Sequence, residues 1–433
     1  MKKILCAAFM SVISATALAQ SGTNSPYSAY GLGELSEQSG GFSRGMNGLG
    51  LGFREHNQIN YLNPASYSSI DSLSFIFDTG LSLQITNFDE NGKKLNANNA
   101  DFEYVVAGFR AARHVGISFG ILPFTNIGYN YANTQYVGGS AATSSTTYTN
   151  TYMGDGGLHQ IYLGVGWELF KGFSVGANIS YLWGNMNRSV INSYNDANIN
   201  TLSKYYTSST RSYKLNFGIQ YAARISKKDV ITLGATYDLG HKLNAAPECM
   251  VISRNTQTGV ADTTAYKIDG GMSFPSTYSA GLTWNHHSKW KLGVDYSFQK
   301  WSSVKYPVYS VVNEKPQYVL QTDLFKDRHK VIFGGEYCQN ENSRNFLKRI
   351  HYRAGASYAT PYLKINGQDG PKEWSVSAGF GIPIVNGYNN RSILNISAQW
   401  VNREAMGLIK ENTFRINIGL TFNERWFAKW KVE

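Results

Sequence analysis

Two short segments of the sequence bring together residue types that could do chemistry. Asp238 and His241 could supply the acid and base of a hydrolase, and His286 and His287 could offer two imidazoles to a metal ion. No serine lies at a spacing that completes the first set, and a solvated turn explains the paired histidines better than a metal site. The sequence also lacks G-x-S-x-G, H-E-x-x-H and C-x-x-C motifs. We therefore expect no catalytic residues, no metal and no cofactor. An enzyme ranks third, behind the transport and scaffold functions considered below.

The composition excludes several protein classes. The chain has 433 residues, of which 14% are aromatic and only 16% are charged, with a mean hydropathy of −0.30. Soluble domains carry about 25% charged residues, and a helical membrane protein needs runs of about 20 apolar residues, which do not occur after the N-terminus. The net charge of +11 is scattered along strands and turns, so we expect no nucleic-acid partner. A large β-rich protein remains.

The N-terminus reads as a secretion signal. Lys2 and Lys3 precede a short apolar stretch, and Ala17-Leu18-Ala19 fits a cleavage site, so residues 1–19 are predicted to be a signal peptide. The exported chain keeps Cys249 and Cys338, which could pair in an oxidising compartment. Two scattered cysteines are not a disulfide framework, so the sequence leaves their pairing open.

The dominant pattern is period-two alternation. In residues 291–299, apolar side chains at Leu292, Val294, Tyr296 and Phe298 alternate with small or polar ones. Connections alternate between long and short, as in outer-membrane barrels with long extracellular loops and short periplasmic turns. We predict an all-β transmembrane barrel of about fourteen antiparallel strands over 72–422, followed by a periplasmic tail at 423–433. The predicted strands are 73–86, 101–111, 115–124, 158–168, 173–187, 204–225, 230–239, 276–284, 290–301, 329–339, 350–360, 373–384, 391–403 and 412–422.

Residues 20–71 do not alternate and are rich in glycine and spaced aromatic residues. Fourteen strands enclose more space than side chains alone can fill, so this segment is predicted to be a plug, or hatch, inside the barrel. A flexible periplasmic arm is the alternative. The plug residues proposed to line a ligand path could equally pack on one another and only occlude the pore. These candidates are Tyr27, Tyr30, Leu32, Leu35, Phe42 and Met46.

Three motifs resemble a known family. Asn63-Pro64-Ala65, Trp301-Ser302 and the segment Tyr352–Tyr358 followed by Thr360-Pro361 resemble, in the same order, motifs of the FadL/TodX family of outer-membrane transporters for long-chain fatty acids and hydrocarbons. The resemblance implies a fourteen-stranded barrel with an N-terminal hatch, the architecture that the alternation also predicts. It further implies that Tyr61, Asn63, Pro64 and Ala65 anchor the hatch to the barrel wall.

The resemblance also implies a function. It predicts passive uptake of hydrophobic small molecules through the bacterial outer membrane, with lateral release where the third strand is kinked. Here the third strand contains Pro123, which would open the wall or simply end the strand. The alternative is a barrel that does not transport and acts as a scaffold in a secretion or barrel-assembly complex, through loops 125–157 and 240–275 or the tail 423–433. Expected partners are outer-membrane lipid, lipopolysaccharide, a hydrophobic ligand and an outer-membrane protein.

Overall fold

The computed structural model describes residues 22–140, 143–384 and 392–425. The predicted signal peptide and residues 426–433 lie outside this part of the chain. Fourteen antiparallel strands form one sheet that closes on itself, because the first strand pairs with the last, Phe77 lying opposite Phe422. No helix within these described ranges is long and apolar enough to cross a membrane.

The barrel strands follow one another in chain order around the wall, each pairing with its neighbours. They are β1 (Ser74–Glu90), β2 (Lys93–Ala112), β3 (Val115–Tyr136), β4 (Thr147–Phe170), β5 (Phe173–Tyr194), β6 (Thr201–Arg224), β7 (Asp229–Asp238), β8 (Thr277–His286), β9 (Trp290–Gln299), β10 (Arg328–Tyr337), β11 (His351–Ala359), β12 (Lys372–Ile384), β13 (Ser392–Glu404) and β14 (Lys410–Arg425).

The alternation places apolar side chains outside and polar ones inside. Leu81, Ile161 and Phe217 are exposed on the outer wall, whereas Ser118 and Asn178 on the inner wall are buried. A soluble sandwich would bury its apolar face, so this inversion is the pattern of a membrane barrel. The predicted fold class and strand number are confirmed.

The two ends of the barrel differ. At one end, called the turn end, 113–114, 171–172, 225–228 and 287–289 join successive strands, and 338–350 forms a longer connection with a short helix, Phe346–Arg349. The other end, called the loop end, carries the long connections 239–276 and 300–327. These contain the strands His241–Lys242, Ala245–Arg254, Ala261–Lys267, Ser273–Phe274, Tyr306–Val312 and Lys315–Gln321 and a 3-10 turn, Trp301–Ser303; Lys364–Ile365 and Gln368–Asp369 form another small hairpin.

Several strands are longer than predicted, because the sheet continues past the barrel rim at the loop end. β3 runs to Tyr136 and β4 begins at Thr147, so most of the predicted loop 125–157 is strand. Much of the predicted loop 240–275 is also strand, since Ala245–Arg254 pairs with β6 and then with Ala261–Lys267. β14 ends at Arg425 rather than 422. Trp301 lies beyond the end of β9 and is buried.

The barrel wall has one broken ladder. β2 and β3 pair only from Val105–Ala112 against Val115–Ile121. Above that point β3 pairs instead with a two-residue strand of the N-terminal segment, Glu34–Leu35, which lies opposite Thr125 and Asn126. The β3–β4 ladder has a register shift between Pro123 and Thr125. The N-terminal segment therefore completes the wall where two barrel strands part.

Candidate functional site

Residues 22–70 run through the barrel interior from the loop end to the turn end. Ser25 bonds Glu411 near the loop end, and Arg54 reaches Ser174 near the turn end. The segment contains two 3-10 turns, Pro26–Ala29 and Pro64–Ser69, and a short helix, Gly41–Arg44. We call residues 22–70 the plug.

The six predicted lining residues pack mainly against other apolar side chains. Tyr27 and Leu32 are buried in a cluster at the loop end with Phe124, Trp301 and Phe325, and two more candidates, Tyr30 and Leu35, lie half-buried against it. The remaining two form a second cluster with other residues of the plug and with β10. Its members are Phe42, Met46, Leu49, Phe53 and Ile332.

The predicted anchor residues sit where the plug meets the wall near the turn end. Asn63 caps the turn Pro64–Ser69, its Oδ1 accepting from the Ala65 amide at 3.1 Å. Its Nδ2 donates to the carbonyl of Leu51 within the plug at 3.0 Å and to the carbonyl of Ile219 on β6 at 3.1 Å. The Asn63 side chain thus joins the turn, the rest of the plug and the wall. Pro64 suits the first position of the turn, because its fixed φ favours the start of a helical turn.

Glycines in the wall let this turn approach closely. A Cβ on Gly176 or Gly166 would collide with the backbone of Pro64, and one on Gly116 would collide with the carbonyl of Tyr67. Tyr61 completes the contact, its ring lying 6.0 Å from Tyr104 on β2. The sequence alone does not reveal that these glycines face the same turn, because they lie on different strands and come together only when the strands pair.

Buried ion pairs hold the middle of the plug. Arg44, which is 2% exposed, donates from Nη2 to Glu103 of β2 at 2.7 Å and to the carbonyl of Glu37 at 3.1 Å. It also donates to the Ser39 carbonyl at 3.1 Å and to Asn417 of β14 at 3.3 Å. The guanidinium therefore bonds two barrel strands and its own segment at once.

Two further ionic centres join the plug to the wall. Near the turn end, Lys291 of β9 bonds Glu55 of the plug at 2.7 Å and Glu336 of β10 at 3.1 Å. Near the loop end, Arg403 of β13 donates to Glu34 of the plug at 2.6 Å. Sequence reasoning missed all three centres, because their members are far apart along the chain.

A cavity of about 340 Å³ remains between the plug and the wall. Of the six predicted lining residues, only Tyr27 and Leu35 reach it. Its surface mixes apolar side chains, such as Leu51, Phe124 and Trp301, with eight carboxylate and five basic side chains. Desolvating those charges opposes the binding of a purely apolar ligand across the whole cavity. The charged residues are Glu34, Glu37, Asp101, Glu103, Lys214, Asp238, Asp295, Arg328, Lys330, Glu373, Arg403, Glu411 and Arg415.

Pro123 lies at the register shift in the β3–β4 ladder and is buried. Its carbonyl accepts from Nε2 of Gln38 at 2.9 Å, and the carbonyl of Phe124 accepts from the Ser36 amide at 3.1 Å. The plug therefore covers the wall at this point.

The residues considered above as possible catalytic groups or metal ligands, Asp238, His241 and His286, make hydrogen bonds or ion pairs with neighbouring residues. Ser212, which sequence spacing did not single out, lies 3.4 Å from Nε2 of His241, but the other ring nitrogen meets the Leu239 carbonyl and Asp238 pairs with Lys214. His286 bonds Asp229 at a strand end. In the described ranges no cluster of three or more metal-ligating side chains occurs.

Cys249 and Cys338 are both free thiols. Cys249 lies in the loop-end strand Ala245–Arg254, and Cys338 follows β10 at the turn end. The length of the barrel separates the two sulfurs, so they do not pair.

The comparisons with known proteins decide the family. The family model described as BamG matches residues 1–433. The chain belongs to the BamG family. No curated protein matches it.

The BamG family chain is also similar to solved barrels. The Pseudomonas putida toluene transporter TodX has 14% identity and a TM-score of 0.60, covering 91% of this chain and all of that one. The CymD monoaromatic hydrocarbon channel has 14% identity and a TM-score of 0.58, covering 92% and 100%. A Pseudomonas aeruginosa FadL homologue has 11% identity and a TM-score of 0.57, covering 90% and 98%. The predicted FadL/TodX-type fold is confirmed.

Proposed function

We propose that this protein is a plugged scaffold subunit of an outer-membrane assembly complex rather than a pore. The observation that carries the proposal is the interior: buried ion pairs join the plug to the barrel wall, and thirteen charged side chains face the remaining cavity. The match to the BamG family over residues 1–433 supports the same choice of an assembly role.

The energetics favour a plug that stays in place. Removing one partner of a buried ion pair costs about 3–5 kcal/mol, because it leaves the other charge desolvated and unpaired. Withdrawing the plug would separate Arg44 from Glu103 and Lys291 from Glu55 together. Withdrawal of the plug therefore has a high free-energy cost, because several buried charges lose their partners together.

The loop end offers a surface for a partner. The sheet extension formed by the upper parts of β3 to β6 and by Ala245–Arg254 and Ala261–Lys267 stands beyond the barrel rim. Val260 and Val311, at hairpin tips there, are exposed. Val312 beside Val311 is exposed as well, so this tip presents adjacent apolar side chains that a partner protein would bury.

Passive uptake of hydrophobic molecules is the second candidate. The likeness to TodX, CymD and the FadL homologue favours it, as does the broken β2–β3 ladder beside Pro123, which would serve as a lateral exit. On this route the wall would open when the strand Glu34–Leu35 leaves β3.

Depletion of the protein in its native host distinguishes the two. A scaffold role predicts that the folded, heat-modifiable fraction of other outer-membrane barrels falls, and that the hairpin-tip variant Val311→Asp/Val312→Asp reproduces the fall. Met406→Asp, at a fully exposed loop-end site on another connection, is the matched control. Unchanged folding of other barrels with slowed growth on long-chain fatty acid or hydrocarbon would overturn the scaffold and favour uptake.

A further inference from the structure

Six basic residues lie together at the turn end. Three neighbouring connections carry them, and backbone hydrogen bonds join those connections: the His287 amide donates to the Lys228 carbonyl at 2.7 Å, and the Cys338 amide donates to the Lys289 carbonyl at 2.8 Å. We call this group the basic patch. It consists of Lys227, Lys228, Lys289, Arg344, Lys348 and Arg349.

Among the residues that the structure describes, the patch has no protein counter-ion. Within the part of the chain that the structure describes, none of the six side chains forms an ion pair. The nearby carboxylates are already engaged, since Asp229 accepts from Trp284 and bonds His286, and Glu341 lies 3.7 Å from His351.

Apolar side chains alternate with these cations. Ile225, Phe346 and Leu347 are 65%, 49% and 63% exposed. Beside Lys289, Trp290 is exposed on the outer wall, and its ring centroid lies 4.3 Å from that of Tyr337 with the two rings tilted by 39°. Interfacial aromatic residues of barrels lie at such strand ends. The patch therefore presents cations and apolar groups at the edge of the lipid-facing band.

We propose that the basic patch binds the headgroup of an anionic phospholipid in the periplasmic leaflet, with the acyl chains against Trp290 and Tyr337. Short turns of outer-membrane barrels face the periplasm, which assigns the leaflet. The phosphate supplies the missing counter-ion. An acidic protein segment would also satisfy the cations, but it would not use the exposed Phe346 and Leu347, which an acyl region covers. The inference does not depend on the scaffold function.

Charge sets the expected size of the effect. A basic residue near an anionic lipid surface strengthens binding by roughly fivefold. Replacing Lys227, Lys228 and Lys289 with glutamine should therefore weaken anionic-lipid binding by about a hundredfold. The matched control replaces Lys93, Lys94 and Lys315 with glutamine, because these are exposed loop-end lysines.

The test is native mass spectrometry of the full chain, delipidated in neutral detergent and titrated with phosphatidylglycerol or phosphatidylcholine. We expect preferential binding of phosphatidylglycerol, lost in the triple glutamine variant and kept in the loop-end control and in K227R/K228R/K289R. The arginine variant guards against misfolding, and heat-modifiability confirms a folded barrel. Equal binding of both lipids, or equal loss in the loop-end control, would overturn the proposal. Binding of a glutamate-rich peptide without phosphatidylglycerol binding would also overturn it, in favour of a protein ligand.

Discussion

Replacing Arg44 with methionine tests how firmly the plug is held. The change keeps an unbranched side chain of similar length but removes every hydrogen bond that the guanidinium makes to β2, β14 and the plug. Glu103 would be left buried without its cation at 2.7 Å. The free energy of plug opening should fall by about 3–5 kcal/mol.

A change of that size is measurable by hydrogen exchange. Since about 1.4 kcal/mol is tenfold in an equilibrium, amides of residues 37–53 should exchange about a hundred to several thousand times faster in Arg44→Met than in the wild type. The amides of the barrel strands report on the whole fold and should change far less. Hydrogen–deuterium exchange in lipid nanodiscs measures the amides of residues 37–53 and those of the barrel strands in the same experiment.

Two controls sharpen the result. The double variant Arg44→Met/Glu103→Gln removes both charges and should recover much of the lost protection, because neighbouring groups do not contribute additively. Lys326→Met breaks a solvent-exposed pair with Asp369 and should alter exchange little. An Arg44→Met plug that exchanges within threefold of wild type would refute the argument that this ion pair fixes the plug.

Three further predictions follow from the geometry. Gly176→Ala should displace the turn Pro64–Ser69, because the new Cβ meets the Pro64 backbone, and limited proteolysis should then cleave near residues 60–70; an uncut plug would refute the close approach. Asn63→Ala should cost about 1 kcal/mol as a lost cap and more for the two orphaned carbonyls, seen as faster exchange at 63–70, whereas unchanged exchange would contradict the anchor. Burial raises the pKa of the Cys249 and Cys338 thiols to about 11, so at pH 8 only about 0.1% is thiolate; maleimide should label neither until denaturant is added, and labelling of the folded protein would contradict their burial.

The barrel could be predicted from the sequence because apolar residues on the lipid-facing side of each strand alternate with polar residues on the inner side. In β9, the residues Leu292, Val294 and Tyr296 mark an outer face, and similar patterns gave all fourteen strands. The extensions of β3 and β4 were missed because Asn130–Tyr136 stands beyond the membrane, where no lipid imposes alternation on the residues. The fold class follows from a repeated local pattern, whereas strand length beyond the bilayer does not.

The interior was less predictable. Spaced aromatic residues led to the prediction of a plug at residues 20–71, and residues 22–70 lie inside the barrel; a hatch role for them stays a prediction. Asn63 and Pro64, predicted as anchors, lie at the start of the turn Pro64–Ser69. The buried polar contacts of the plug could not be predicted, because Arg44 and Asn417 are separated by most of the chain and meet only when the barrel closes. The charged part of the cavity lining depends on such distant pairings, so the apolar residues of the plug did not reveal it.

The most direct test of the plugged-scaffold account is transport itself. Proteoliposomes holding the wild type or a variant lacking residues 22–70 would be assayed for entry of a labelled long-chain fatty acid and of a sugar of similar mass, against vesicles holding an unrelated sealed barrel. The account predicts that the wild type passes neither solute faster than the sealed barrel and that the deletion variant, once shown to be folded, passes the sugar. Faster fatty-acid entry through the wild type, abolished by the deletion, would contradict it and establish a hatch-dependent transporter.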